Sequence, residues 1–497
     1  MSLLAVDIGS SACKAVAFTL DGEILARHSC GYTPDLPRPS HAEMDPACFW
    51  DAVCHCTRSV AKDIADPVRA ICLSSHGETF VPINQAGEAI SPAIINQDNR
   101  ATHEADWIEK QVGRKRLFEI TGLVTHPMYP VPKLLWLRKY QPKVFSSASS
   151  FVTVVGYILA RLGLPPYVDY SLASRYLAFD VRKGQWAEEV LEVAGLRSDC
   201  LPTPVAAGTV VGKLSANAAR QLGVPCETPV VLGGHDQPCG ALGVGVIKNG
   251  QAADSMGTYE CVLVASENPV LSDAALEGSL NSYCHVVPGK FVTIAYFPSG
   301  IMVKWFHDFL YGNDASGSES EHYAALEASV PDGPTGLCIT PNLIGTCNPD
   351  FDPKARAMVY GLNPGTGRAE IYKGILEGLA CELNLVTRLL IHAVGDFQDV
   401  HVSGGGARSP LGLKLRSVLT KKRLHVMQSP EAVCLGGAIL GGVAIGEYKS
   451  VEEAVQAVVR ESAVVEPDAN IAAGYAEQLK RYECWRTALA CLSKEER

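Results

Sequence analysis

At 497 residues the chain is longer than one hydrophobic core ordinarily supports, so two or more domains are expected. Hydrophobic residues make up 47% and charged residues 19%, an ordinary globular composition. A formal net charge of −10 with no long Lys/Arg run excludes nucleic acid or an anionic membrane surface as the main partner. It leaves room for a small phosphorylated ligand held by local positive potential.

The first element is Leu3-Leu4-Ala5-Val6-Asp7-Ile8-Gly9-Ser10-Ser11, an apolar strand that ends in an acid and small residues. With an Asp at position 7 and no basic segment before it, this start reads as a strand and not as a secretory leader. A second strand, Cys13 to Phe18, follows, and Asp21-Gly22 turns the chain into Ile24-Leu25-Ala26, a hairpin signal. The 17 cysteines are odd in number and scattered singly through apolar segments, which predicts reduced thiols and a cytoplasmic protein. Cys54-His55-Cys56 is the one tight cluster; lacking a second Cys/His pair at zinc spacing, it reads as structural.

Strand Ala70–Ser74 leads to His76-Gly77, and a further strand leads to Asp98-Asn99-Arg100. Carboxylate and imidazole there suit the hydroxyls of a polyol, although His76 is equally readable as a satisfied core histidine and Arg100 as a clamp on Asp98. Near the middle, VVLGGHDQP carries an apolar strand into two glycines and then His235, Asp236 and Gln237. Asp236 reads either as a catalytic acid at the carboxyl end of a buried strand or as a helix N-cap.

After a polar stretch at 246–251, taken as the boundary between halves, the opening pattern recurs: Asp254-Ser255-Met256-Gly257-Thr258 runs into the strand 261–265. Two such turns facing one another would clamp a polyphosphate from both sides. Lys14, just past the first turn, reads as a phosphate contact or as a solvated strand end. A third glycine cluster, Gly404-Gly405-Gly406-Ala407-Arg408-Ser409, stands between strand 399–402 and a helix over 411–420. It is a candidate third nucleotide contact, with Gly436-Gly437-Ala438 expected to pack a helix closely behind it. The spacing is not G-x-G-x-x-G, which disfavours a dinucleotide site. The longest apolar stretch, 432–446, carries five glycines and falls short of the ~18 residues of a membrane span. Strands alternating with helices in both halves give an α/β fold.

DIGSSACKAVAF, ISPAIINQDNRA, ETPVVLGGHDQ, DSMGTY and VSGGGARSPL, together with Asp169 to Arg175 and Trp186, resemble in content and order the FGGY family of carbohydrate kinases. The resemblance covers essentially the whole chain. It implies two actin-like (RNase H-like) domains flanking a catalytic cleft, 1–248 for sugar and base and 249–497 for ATP. It further implies Asp236 as catalytic base and Asp7 as the acid that reaches Mg2+, with Asp236 beside it at the metal. Gly9, Ser10, Ser11, Lys14, Gly257 and Thr258 would hold phosphates, and Gly404, Gly405, Gly406 and Ser409 the adenosine. His76, Gly77, Glu78, Asp98, Arg100 and Gln237 would hold the sugar.

The implied partners are ATP and a small sugar, with no nucleic acid and no membrane; a homodimer is the assembly common among resembling enzymes. The expected activity is ATP-dependent phosphorylation of a neutral ketose such as a pentulose. The alternatives are another polyol or a sugar acid (glycerol, erythritol, gluconate) and a non-catalytic sensor of sugar or nucleotide. Three departures bear on substrate. Glu78-Thr79 is similar to glycerol kinases, Asn96 replaces the usual Trp, and Gly345-Thr346-Cys347-Asn348-Pro349 replaces the usual Gly-Glu-Arg-x-Pro. The last is expected to alter an edge of the nucleotide cleft or its lid.

Overall fold

The computed structural model describes residues 1–312 and 317–495, with side chains described through Cys491. The first half builds a six-stranded sheet from β1 (Ser2–Ile8), β2 (Ala12–Phe18), β3 (Ile24–Gly31), β4 (Val68–Ser75), β5 (Val210–Lys213) and β6 (Pro229–His235), in the order β5-β6-β4-β1-β2-β3. β6, β4 and β1 run parallel, so their carboxyl ends emerge together. All three are apolar along almost their whole length, as strands covered on both faces must be. One face is covered by α1 (Pro46–Asp63), started by Asp45, whose side chain accepts the Ala47 N–H, and by Pro46 at its first position. β6 ends directly in α2 (Asp236–Gly243).

The second half repeats the plan. Its sheet uses β7 (Ala252–Met256), β8 (Tyr259–Ser266), β9 (Asn281–Cys284), β10 (Phe291–Pro298), β11 (Asp399–Ser403), β12 (Arg423–Met427) and β13 (Glu461–Val465), ordered β9-β10-β8-β7-β11-β12-β13. The β7–β8 hairpin corresponds to β1–β2, the parallel β11 and β12 to β4 and β6, and the antiparallel β13 to β5. β9 is an addition at the far edge. Helices α3 (Gly300–Tyr311), α4 (Arg368–Val394) and α5 (Pro410–Thr420) belong to this half. The next, α6 (Ala432–Ala444), crosses back and covers the second face of the first sheet.

That crossing corrects one expectation. Gly436 and Gly437 do not back the Gly404–Gly406 cluster. A Cβ on Gly436 would lie 2.0 Å from the Cys239 carbonyl oxygen in α2, and one on Gly437 would lie 3.2 Å from Ala5 in β1. The two glycines let α6 lie against the helix that begins with Asp236.

Candidate functional site

Strand register alone assembles the centre of the site. Asp7 pairs with Ser74, and Ser74 with Gly234; one step on, Ile8 pairs with Ser75, and Ser75 with His235. The chain's first acid and Asp236 therefore emerge at the same edge from the strands on either side of β4, 229 positions apart in sequence. Burial pushes the Asp7 carboxyl up to about 6, against the pull of Lys14 across the hairpin and of the Ser74 hydroxyl, which donates to it at 3.4 Å. Asp236 is raised well above the carboxylate range, by burial first and then by the negative charges of Asp7 and Glu78. It is the first residue of α2, and His235 occupies the cap position without a side-chain capping bond. The N-cap reading of Asp236 is thereby ruled out, while its place in a first helical turn still favours negative charge.

On one side of this centre lie the predicted sugar residues. His76 is 4% exposed and both ring nitrogens are engaged, Nδ1 at 2.8 Å from the Ile8 carbonyl and Nε2 at 2.7 Å from the Thr79 hydroxyl. A carbonyl can only accept, so Nδ1 carries the proton and the neutral ring anchors the turn beside Asp7. Asp98 is fully buried; it accepts the Ala42 N–H at 2.6 Å and the Arg100 Nε–H at 2.8 to 2.9 Å. Arg100 also reaches Glu43 at 2.8 Å and lies over the Trp136 ring. Of the two readings open for Arg100, the clamp on Asp98 is the arrangement observed. Asn96 places its backbone N–H on Thr79 Oγ1, next to this loop, and its own Oδ1 is buried without a partner.

Glu78 has a φ of 62° and reaches inward to Arg175, Oε1 to Nε 2.5 Å. Burial opposes its charge, but Arg175 more than compensates and holds it below the usual range. Gly77 is glycine because a Cβ there would be 3.0 Å from both Arg175 Cγ and His235 Nε2. Lys133, 0% exposed, donates to the Glu78 and Ile95 carbonyls at 3.1 and 2.7 Å, and burial lowers it to about 7. Gln237 is half-buried at the next position after Asp236.

On the other side the two glycine turns face the cleft from separate sheets. Gly9 N–H donates to the Ala12 carbonyl at 2.9 Å, three residues on, and Gly257 N–H to the Tyr259 carbonyl at 3.0 Å, two residues on, so the second turn is the tighter. Ser10 is partly exposed and Ser11 exposed, so their hydroxyls are available. Gly404, at φ 91°, abuts the second turn: a Cβ would lie 2.7 Å from the Met256 carbonyl oxygen, whereas Gly405 borders open space. The third glycine cluster thus packs against the second glycine turn. Thr258 accepts the Ser299 N–H through its carbonyl, and Gly257 the Gly300 N–H, which sets the start of α3. The Ser409 hydroxyl is engaged: it caps the Gly412 N–H at 2.9 Å and donates to Glu327 at 2.6 Å. Lys14 is neither free nor simply solvated, since its Nζ bonds Glu431 at 2.6 Å.

The residues that sequence reasoning passed over are mostly charges buried in pairs. Arg416 holds Glu260 through two bonds of 2.8 and 2.6 Å beneath the second turn, and Glu260 also receives the Ser299 hydroxyl at 2.6 Å. Arg175 stood inside a quoted motif without a role; its partner is 97 positions away, and no local spacing announces it. The Gly345–Pro349 segment lies within reach of the second glycine turn, since Phe351 packs on Tyr296 and Tyr296 on Tyr259. Asn348 is tied to Tyr296 N–H at 3.0 Å and to the Ser279 carbonyl at 2.7 Å. It thereby presents Pro349, Asp350 and Phe351 to His126, Met128 and Tyr129 across a cavity of about 260 Å³. That cavity adjoins the Arg175–Glu78 pair: Tyr129 lies 5.2 Å from the Arg175 guanidinium.

A duplicated α/β fold with a glycine turn on each sheet and paired acids between them defines the actin-like class of two-domain phosphotransferases. Comparison with known proteins is specific. The profile for the N-terminal domain of the FGGY family of carbohydrate kinases matches residues 2–243, and that for the C-terminal domain matches residues 252–445. The chain is 28% identical to the gluconokinase of Bacillus subtilis over 90% of this chain and 88% of the relative. It is 24% identical to the xylulose kinase of the same organism over 94% and 93%. The crystal structure of gluconate kinase from Lactobacillus acidophilus superposes with a TM-score of 0.90 at 23% identity, covering 100% of this chain and 99% of that one. The chain belongs to the FGGY family of carbohydrate kinases and is a sugar kinase.

Proposed function

We propose that this enzyme transfers the γ-phosphate of ATP to a hydroxyl of a neutral ketose, a pentulose first, with Asp236 as the base. One observation supports a neutral acceptor over a sugar acid: the buried cations nearest Asp236 are already paired or engaged. Arg100 is bonded to Asp98 and Glu43, Arg175 to Glu78, and the Lys133 ammonium is spent on two carbonyls. An aldonate carboxylate placed against these three would have to share a charge already paired, at a desolvation cost of several kcal/mol.

In this reading the acceptor oxygen forms a bond to the γ-phosphorus, the bridging bond to ADP breaks, and the hydroxyl proton passes to the Asp236 carboxylate. An aspartate is too weak a base to remove that proton beforehand, so Asp236 orients the hydroxyl and accepts late. The carboxylates of Asp7 and Asp236 form an all-oxygen donor set in which burial and neighbouring acids disfavour charge, an environment a dication would relieve. They fit Mg2+, and would hold it with water completing the shell. Bound there, the metal would neutralise charge on the phosphates. Gly9, Ser10, Gly257 and Thr258 would receive the phosphates, and Gly404 to Gly406 the nucleoside. The cytoplasm is the proposed compartment, in keeping with 17 cysteines that are all unpaired. Among the described residues no helix is long and apolar enough to cross a membrane.

The test is ADP release in a coupled assay with D-xylulose, D-ribulose, glycerol, erythritol and D-gluconate. A neutral ketose should give the highest kcat/KM; D-gluconate exceeding every neutral acceptor would overturn the reading. Asp236→Asn should lose about 10²- to 10⁴-fold in kcat with nucleotide affinity retained.

A further inference from the structure

His235 is built into the structure with more care than a packing residue requires. Its backbone N–H donates to Ser171 Oγ at 2.9 Å, and the Ser171 hydroxyl is itself fixed on Asp169 at 2.5 Å. Two glycines lie close by, for different reasons. A Cβ on Gly77 would strike Nε2, and one on Gly234, at φ 124°, would lie 2.6 Å from Ser171 Oγ. Space has been cleared for the imidazole to lie between two partners. Nε2 is 3.2 Å from Asp236 Oδ1, and Nδ1 is 3.1 Å from the Tyr283 hydroxyl.

Tyr283 comes from β9, the extra edge strand of the second sheet, and is 0% exposed. Its ring carries the Arg175 guanidinium 4.7 Å from the centroid, so the same tyrosine also borders the arginine that holds Glu78. β9 is stitched to the first half rather than left to move with the second. Ser282 N–H donates to the Gly122 carbonyl at 2.7 Å, Val124 N–H to Asn281 Oδ1 at 2.9 Å, and Cys284 N–H to Ser174 Oγ at 3.5 Å.

We propose that Tyr283 is a positioning residue that sets the orientation of Asp236 through the imidazole of His235. This rests on Asp236 being the base. An ionised Asp236 can only accept, so the tautomer that suits it carries the proton on Nε2, 3.2 Å from Oδ1, and takes the Tyr283 O–H at Nδ1. One carboxylate oxygen is then held by a neutral donor and the other stays free for the acceptor's hydroxyl. Burial keeps the ring neutral, against the pull of the Glu78 carboxylate. A carboxylate among carboxylates has no preferred orientation unless a fixed donor supplies one. The arrangement has the logic of a base oriented by a third group, with the third group supplied by the other half of the molecule.

Steady-state kinetics decide it, using whichever of D-xylulose, D-ribulose, glycerol, erythritol and D-gluconate turns over fastest, with the ADP affinity and thermal midpoint of each variant measured alongside. Tyr283→Phe removes one oxygen and keeps the ring against Arg175. It should lower kcat about 10-fold or more, within the roughly 100-fold that a misplaced group can cost, with both KM values within about twofold of wild type. His235→Phe should lose at least as much. His235→Gln, whose amide reaches toward Asp236, should recover part, and Tyr283→Phe should add little on top of His235→Phe. A kcat within about twofold of wild type for Tyr283→Phe, or for His235→Phe, would mean simple packing and sink the proposal. Should His235→Phe not fold, Tyr283→Phe decides alone. Asp236→Asn in the same series separates the two ideas: if it is fully active the base assignment fails, whereas if it is dead and Tyr283→Phe is normal only the positioning role fails.

Discussion

His285 shows how a single buried side chain couples this protein to pH. Its Nε2–H donates to the Val246 carbonyl at 3.0 Å, and its Nδ1 accepts the Val287 N–H at 3.3 Å. The neutral ring is satisfied and 4% exposed, and burial lowers it from 6.5 to about 4. The unfolded chain therefore binds a proton that the folded chain refuses between those two values, and stability falls as pH drops through this window. The loss from this residue is about 1.4 kcal/mol per pH unit. His285→Gln has no such proton to bind, so the stability gap between wild type and variant should narrow as pH falls from 6.5 toward 4 in urea denaturation. A gap independent of pH would show that the ring is not held neutral. The same scale explains which site residues were legible. Asp7, Asp236 and the glycines of the turns stand in contiguous motifs, and each was readable from its immediate neighbours. The satisfaction of His76 and Asp98 was not, because the Ile8 carbonyl and the Ala42 N–H reach them across 68 and 56 positions.

Among the elements, the contact between α2 and α6 bears most directly on the site. A Cβ on Gly243 would lie 1.8 Å from the Ala432 carbonyl oxygen, and one on Gly436 2.0 Å from that of Cys239. In both cases the obstacle is backbone, which cannot swing aside as a side chain can. Gly436→Ala should therefore force the helices apart and destabilise by about 3 kcal/mol or more, read from the urea midpoint. Because α2 begins at Asp236, kcat should fall as well at temperatures where the variant remains folded. An unchanged midpoint would mean that the two helices separate freely. The sequence marked 432–446 as a tightly packed glycine-rich helix, and so it is. The partner was mistaken, because glycine spacing reports that something approaches closely without saying what. The 345–349 segment repeats the lesson: its unusual residues were visible, and only the bonds from Asn348 to Tyr296 and Ser279 fix it against the cavity that His126 and Tyr129 line.

At the scale of the whole molecule, the glycine turns at Gly9 and Gly257 lie on different sheets, and a polyphosphate gripped by both would draw the halves together. X-ray scattering should show a smaller radius of gyration with acceptor sugar plus a non-hydrolysable ATP analogue than with neither. Superimposable profiles would count against closure. The motion expected is limited, because α6 is packed on the first sheet and β9 is bonded to the first half. The sequence by itself determined the duplicated α/β plan, the strand ends that carry Asp7 and Asp236, and the sugar-kinase family. Those depend on strand periodicity and on glycines and acids adjacent in the chain. Only the tertiary structure decided which charges remain free. Glu78 with Arg175, Glu260 with Arg416 and Lys14 with Glu431 are each joined across 97 to 417 positions. A buried charge takes its partner from whatever the fold brings near, and the chain does not write that partner beside it.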